Sequence, residues 1–455
     1  MWITRIKKKI MKKIGLSILS LLAISLGVQA QSWETVGTEG FTFGDVQYGC
    51  MDVYNGTPYI AYKDVANGSK CTVMRYNGTS WVFVGAQAFT PGIAREQSIA
   101  IDQQNGDVYV EYTDATVNKI VVSKFNDNAG AWEPLGPNGF ASSPGEFYQQ
   151  IKIDNGIPYL VCGGYQAYIK QYTTGTPTGT WGAISAPVIS MAQAWYTRMA
   201  VDGSNQYVIY SDMASAGKAT VAKVNASGVV AVGGVLGFTT GGIGYADITM
   251  DGSTPYISYQ DSLAGRKLSV MKFNGTSWDY IGGQGVSSGN VENNRILVYN
   301  STPYIAYHDE SDGNIHVKKF DGTNWVSVGS AVSNGQVFLN DMIINDNHVF
   351  IAYRDAESFG GRMTVKKFDL NETNSINQTT TKNISTYPNP VQNDLFIRVN
   401  DQEITKMDVL DLSGKIVKSI NTFQNSIDVS DLNQGVYFLK VYTHDSVSNT
   451  QFVKQ

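Results

Sequence analysis

The stretch PYIAYKD at Pro58–Asp64 returns six more times along the chain: VYVEYTD ending at Asp114, PYLVCGG at Gly164, YVIYSD at Asp212, PYISYQD at Asp261, PYIAYHD at Asp309 and VFIAYRD at Asp355. Successive anchors are 50, 50, 48, 49, 48 and 46 residues apart, a period that marks a repeat architecture. Working outward from the anchor, each copy holds four short β-type runs, which in the fifth read DITMD, PYISYQD, KLSVMKF and SWDYIGG. Asn55-Gly56 and Asn155-Gly156 supply hairpin turns between the first two runs, because both turn residues tolerate the positive φ that a tight hairpin demands. Pro58, Pro158, Pro255 and Pro303 open second strands, one of the few strand positions that can lose an N–H donor. NGTSW at Asn77 and Asn274, and DGTNW at Asp321, join the third run to the fourth. Four antiparallel strands per copy, with no helical periodicity, predict a propeller blade.

The fourth run carries a tryptophan and a following glycine: Trp81, Trp132, Trp181, Trp278 and Trp325, with Val229–Gly233 replacing it in the fourth copy. The seventh copy stops at Phe368-Asp369 without such a run, and the missing one stands at the other end, as Trp33–Gly37. The expected fold is therefore all-β, a seven-bladed β-propeller over residues 31–370 closed by its N-terminal strand. Closure by the two chain ends removes the open sheet edges that invite aggregation.

The chain begins with the basic stretch MWITRIKKKIMKK, followed by the apolar GLSILSLLAISLGV and the small residue Ala30. This is the pattern of a secretory signal peptide over 1–30, too short for a stable membrane anchor, with Met11 an alternative start. No other stretch approaches the length of a membrane span, so the mature chain is expected to lack one. The net charge of −5, with basic residues scattered, argues against nucleic acid as a partner. Cys50, Cys71 and Cys162 fall on non-adjacent strands or different blades and are expected to stay unpaired. Residues 371–383, NETNSINQTTTKN, are polar and read as a linker. The remainder, 384–455, alternates again in LFIRV, MDVLDL and GVYFLKVYT, as a small β-sandwich would.

Within that last segment YPNP at Tyr387–Pro390, DLSGK at Asp411–Lys415, DVSDLNQGVYFLKV at Asp428–Val441 and the terminal FVKQ follow one another in order. They resemble the C-terminal sorting domain of Bacteroidota type IX secretion cargo. The resemblance implies that the chain crosses the inner membrane by its leader and the outer membrane through the type IX machinery, which recognises the C-terminal domain. It further implies a secreted or outer-membrane surface-attached protein.

Residues shared by every blade solve a folding problem that every blade has. The Tyr-x-Asp anchors are read this way, their carboxylates accepting backbone N–H groups of the following loop, as are the repeat tryptophans. Positions that vary inside the constant frame are the better functional candidates. At the opening of the innermost strand the copies place Cys50, Ser98, Gln150, Arg198, Asp247, Arg295 and Asp341; three residues earlier stand Gln47, Arg95, Phe147, Trp195, Gly244, Glu292 and Phe338. Between anchor Tyr and Asp lie Lys63, Thr113, Gly163, Ser211, Gln260, His308 and Arg354. All three sets are expected on or near one face around a central channel.

The candidate ligand-binding residues are Trp195, Tyr196, Arg198, Asp247, Arg295, Asp341, His308 and Arg354. Trp195 is the one mature tryptophan off a fourth strand, and Tyr196 and Arg198 follow it. An aromatic plane beside a guanidinium suits a sugar ring or an acidic polymer; alternatively Trp195 fills the space that Val229 leaves in its blade. Cys162 and Gly164 replace the third anchor pair, by drift or to make room for a ligand. No H-E-x-x-H or Cys/His cluster occurs, and His308, His316 and His348 fall on different elements, so no catalytic residue, metal site or cofactor is assigned. The leading expectation is a monomeric, exported, non-catalytic propeller binding a polysaccharide, a surface glycan or a surface protein. The alternative is a polysaccharide lyase or glycosidase, with Asp247 and Asp341 as the carboxylate pair.

Overall fold

The structure is a computed structural model that describes residues 32–136, 140–141, 147–175, 179–185, 188–371, 384–399, 404–411, 416–420, 425–443 and 447–455. The leader expected over 1–30 lies outside these residues, as does the linker apart from Asn371. The chain divides into a unit spanning Gln31–Asn371 and a C-terminal unit.

In the first unit the alternating runs become antiparallel sheets whose strands follow chain order outward from an innermost strand. Among the described residues the innermost strands are Val46–Tyr54, Ala94–Ile101, Phe147–Asp154, Ala194–Asp202, Ile243–Asp251, Val291–Tyr299 and Val337–Asn345; the sheets built on them are numbered 1 to 7 in that order. Each innermost strand touches the next, and Val337–Asn345 touches Val46–Tyr54. Glu34–Thr35 pairs with Arg362–Asp369 as the outer strand of sheet 7, Glu34 opposite Lys367. Sheet 2 carries one more short strand, Phe140–Ala141. The arrangement is all-β and propeller-like.

The repeat residues hold neighbouring sheets together. Asn55 and Gly56 both have positive φ, 47° and 72°, as a two-residue hairpin with the right-handed twist of its strands requires. The Trp132 indole N–H donates to the Val84 carbonyl of sheet 1 at 2.8 Å. Trp81, Trp181 and Trp325 repeat this bond to Val36, Leu135 and Ile281, and Trp33 reaches Ser330. The glycine after the accepting residue is part of the same device: Gly85 has φ +73°, and a Cβ there would stand 3.1 Å from the Trp132 ring. The tryptophan therefore needs a bare backbone to lie on. Two junctions lack the bond. Sheet 4 has no repeat tryptophan, and the Trp278 indole N–H finds no partner beside the 3-10 turn Val232–Gly234.

The anchor carboxylates bind the loops that follow them. Asp114, Asp212, Asp261 and Asp309 accept from the backbone N–H two residues on, at 2.9–3.0 Å. The anchor tyrosines Tyr62, Tyr210, Tyr259 and Tyr307 are fully buried, and all three cysteines are buried thiols.

In the C-terminal unit Ile384–Tyr387, Asp394–Val399 and Ser426–Asp428 form one sheet. Ile404–Leu410, Ile416–Ile420, Gly435–Thr443 and Val447–Lys454 form another. Leu395, Ile397 and Ile427 of the first pack with Met407, Val409, Leu439 and Phe452 of the second in one buried core, the two-sheet packing expected of a small sandwich.

Candidate functional site

Every innermost strand is interrupted near its opening by a register shift, as between Trp195 and Arg198 opposite Ser211 and Ile209. The shift is a β-bulge, which re-aims side chains at a sheet rim. In sheets 1, 3, 4 and 5 the bulged residue is a tyrosine in the left-handed region: Tyr48, Tyr148, Tyr196 and Tyr245, with φ of 50°, 59°, 53° and 46°. Glu96 and Asn293 occupy the same place in sheets 2 and 6.

Beyond the bulge the seven opening residues Cys50, Ser98, Gln150, Arg198, Asp247, Arg295 and Asp341 all line one cavity of about 480 Å³. Most of them staple one sheet to the next. Ser98 accepts from the Ile151 N–H at 3.2 Å, Gln150 from Met199 at 2.8 Å, Asp247 from Ile296 at 3.0 Å and Asp341 from Met51 at 3.2 Å. An acceptor at this position thus satisfies a backbone donor of the following innermost strand. Arginine has no acceptor, so Arg198 and Arg295 break the rule. The Arg295 Nε donates to Asp341 at 2.9 Å; burial works against its charge, but Asp341 and Asp247 outweigh it.

The channel is crowded with carboxyls that burial disfavours as anions. Burial pushes Asp52 up to about 6 although it accepts the Val53 and Ile101 N–H groups. Burial also raises Glu96, which a backbone hydrogen bond from Tyr148 partly offsets, and Asp247, which Arg295 and Arg198 partly offset. Outside the channel lining, Glu111 on the second strand of sheet 2 is the extreme case: fully buried, with neither carboxyl oxygen hydrogen-bonded, and pushed well above the ordinary range by burial and then by Glu96.

A second depression, of about 110 Å³, lies between Tyr148, Tyr196, Tyr245, Arg198 and Arg295. The three tyrosines form a ladder with successive ring centroids 5.2 Å apart. A third, of about 310 Å³, is an aromatic cleft lined by Phe147, Tyr148, Tyr165, Gly164, Gln193 and Trp195. Tyr148 is common to the last two depressions, and Arg198 and Arg295 to the first two. The cleft spans sheets 3 and 4 where their backbones meet, Gly164 and Ala194 exchanging both N–H···O bonds at 2.8 and 2.9 Å. A Cβ at Gly163 would collide with the Thr197 hydroxyl and stand 2.7 Å from the Ala194 carbonyl oxygen.

Trp195 is 42% exposed, so it does not fill the space left by Val229, which packs in the sheet 3–4 core itself. Trp195 and Arg198 line different depressions. The bulge sends Trp195 into the cleft, Tyr196 into the ladder and Arg198 into the channel, and Tyr148 is what joins the two sites. Asp247, Arg295 and Asp341 meet in the channel; each carboxylate is held by the bonds just described. His308 and Arg354 line none of these depressions. His308 is buried near Phe338, and Arg354 is held by Asp45 at 2.7 and 2.9 Å with Phe338 against its guanidinium. Sequence reasoning missed Phe147's partners Tyr148 and Tyr165, the ladder residue Tyr245, and Glu96 and Glu111. A tyrosine two residues before the opening in four copies was the available signal for the ladder.

Residues 385–455 match the family "Secretion system C-terminal sorting domain". This segment is a secretion sorting domain. Its presence marks the chain for the type IX machinery and places the protein outside the cell or on its surface. No helix among the described residues is long and apolar enough to cross a membrane. No curated protein matches the chain. Among solved structures, PorZ, a bacterial surface component of the type IX secretion system of Porphyromonas gingivalis, is 15% identical with a TM-score of 0.50. The match covers 93% of this chain and 61% of PorZ, so the chain spans about three-fifths of that protein. The six-bladed fucose-recognising lectin of Aleuria aurantia is 13% identical with a TM-score of 0.43, over 66% of this chain and 99% of the lectin.

Proposed function

We propose that the mature chain is an exported, non-catalytic, seven-bladed propeller, closed by its N-terminal strand, that binds a glycan polymer through the face carrying the aromatic cleft and the channel mouth. The observation that carries this reading is the one-sidedness of the exposed apolar side chains. Among the described residues of the first unit, the exposed large apolar side chains all lie at the end of the sheets where innermost strands open, except Val230. They include Phe43, Ile93, Phe147, Tyr165, Met191, Trp195 and Leu263. Among the described residues the opposite end, with its hairpins and NGTSW turns, exposes none. An apolar rim of this kind marks an interaction surface, and aromatic planes around a polar opening suit stacked sugar rings.

A glycan array probed with the secreted protein tests the reading. Binding is expected to one polymer class without release of reducing ends or a new 235-nm absorbance. Trp195→Ala should weaken binding and leave the melting temperature unchanged. Turnover of any bound polymer would point to an enzyme, and unimpaired binding by the variant would remove the cleft from the site.

A further inference from the structure

Arg198 stands apart from every other ring residue. Its neighbours at the strand openings staple the next sheet, and Arg295 is matched by Asp341, but among the described residues Arg198 has neither a hydrogen bond nor an ion pair. Burial and then Arg295 disfavour its charge, with Asp247, Asp341 and Glu96 supporting it only from a distance. A guanidinium is a rigid, planar fork of donors; leaving it unmatched in a partly enclosed site costs stability that a matching anion restores.

We propose that the pocket of Arg198 and the tyrosine ladder takes the carboxylate of an acidic sugar, a uronate unit of a polymer whose neighbouring ring lies in the Trp195 cleft. This rests on the glycan-binding reading and specifies its ligand. The pocket, about 110 Å³, is the smaller of the two depressions and the adjoining cleft, about 310 Å³, the larger, so the compact carboxylate is assigned to the pocket and the ring to the cleft, which shares Tyr148 with it. Burial pushes the Tyr148 phenol up to about 12 and raises Tyr245 as well, so both remain O–H donors toward an anion.

The test uses the full secreted protein at neutral pH in calorimetry with polygalacturonate, polymannuronate and hyaluronan, each paired with its carboxyl-reduced form. At least one uronate polymer should bind, and carboxyl reduction should weaken it about ten- to a hundredfold, the worth of a charge-assisted hydrogen-bond pair. Arg198→Met should erase that difference, whereas Trp195→Ala should weaken both forms alike. Equal binding of native and reduced polymers to the parent protein overturns the carboxylate assignment while the glycan reading stands. Binding of a neutral polymer alone, or of poly-glutamate in place of any uronate, overturns it too. If no polysaccharide binds, the glycan reading itself falls. The comparison of native with reduced polymer needs no variant, so it decides the matter even if Arg198→Met fails to fold.

Discussion

Glu111→Gln should make the protein's stability less sensitive to pH. The Glu111 carboxyl is buried without a hydrogen bond to either oxygen, and burial holds its pKa well above the ordinary 4.5. The folded protein therefore keeps this proton at pH values where the unfolded chain has released it. The contribution is fully present below the unfolded value and is lost as pH rises toward the folded one, at about 1.4 kcal/mol per pH unit. Glutamine has the same shape and no charge to release, so the variant lacks the slope. Over two pH units inside the window the variant gains about 3 kcal/mol on the parent, about 5 °C in melting temperature for a domain of this size. The amide's own unmet hydrogen bonds impose a fixed cost of about 1–3 kcal/mol, which displaces the whole curve and leaves its slope alone. Thermal melts of both proteins at half-unit steps from pH 5 to 8, in identical buffers, read the difference. A gap between parent and variant that stays constant across that range refutes the reasoning.

Asp341→Ala removes both the staple to Met51 and the partner of Arg295; a loss of about 3 kcal/mol in urea unfolding is expected, and adding Arg295→Met should recover most of it. Trp132→Ala should cost about 3–5 kcal/mol through lost packing on Gly85 and the lost bond to Val84, measured the same way. Gly163→Ala should destabilise by about 1–3 kcal/mol and speed amide exchange at Gly164 and Ala194, because the new methyl group wedges sheets 3 and 4 apart. Deleting residues 385–455 should keep the chain from the medium and the cell surface, as followed by fractionation.

The architecture was legible because the same packing problem recurs: a tryptophan needs a glycine to lie on, and an anchor carboxylate needs a loop to bind. Aligning the copies was also enough to identify the seven opening residues, all of which line the channel, since equivalent positions in a repeat are equivalent in space. The bulges were not legible. Strict alternation puts Trp195 and Arg198, three residues apart, on opposite faces, and the register shift that sets them opposite Ser211 and Ile209, with Tyr196 at φ 53°, is not visible in the pattern. Arg354 could not be placed because its partner Asp45 is 309 residues distant in the chain. Glu111 was visible in principle, as the one charged residue among Ala61, Val161, Ile209, Ser258, Ala306 and Ala352, but the period draws the eye to what the copies share.

The junctions that lack the indole-to-carbonyl bond both flank sheet 4, the sheet that presents Trp195, Tyr196 and Arg198. Under load the sheets are expected to part first there, at the seam that carries the residues proposed to bind. On that reading a glycan lying across Phe147 and Trp195 would bridge sheets 3 and 4 and latch the junction with no tryptophan of its own, so that occupancy raises resistance to shear and proteases outside the cell.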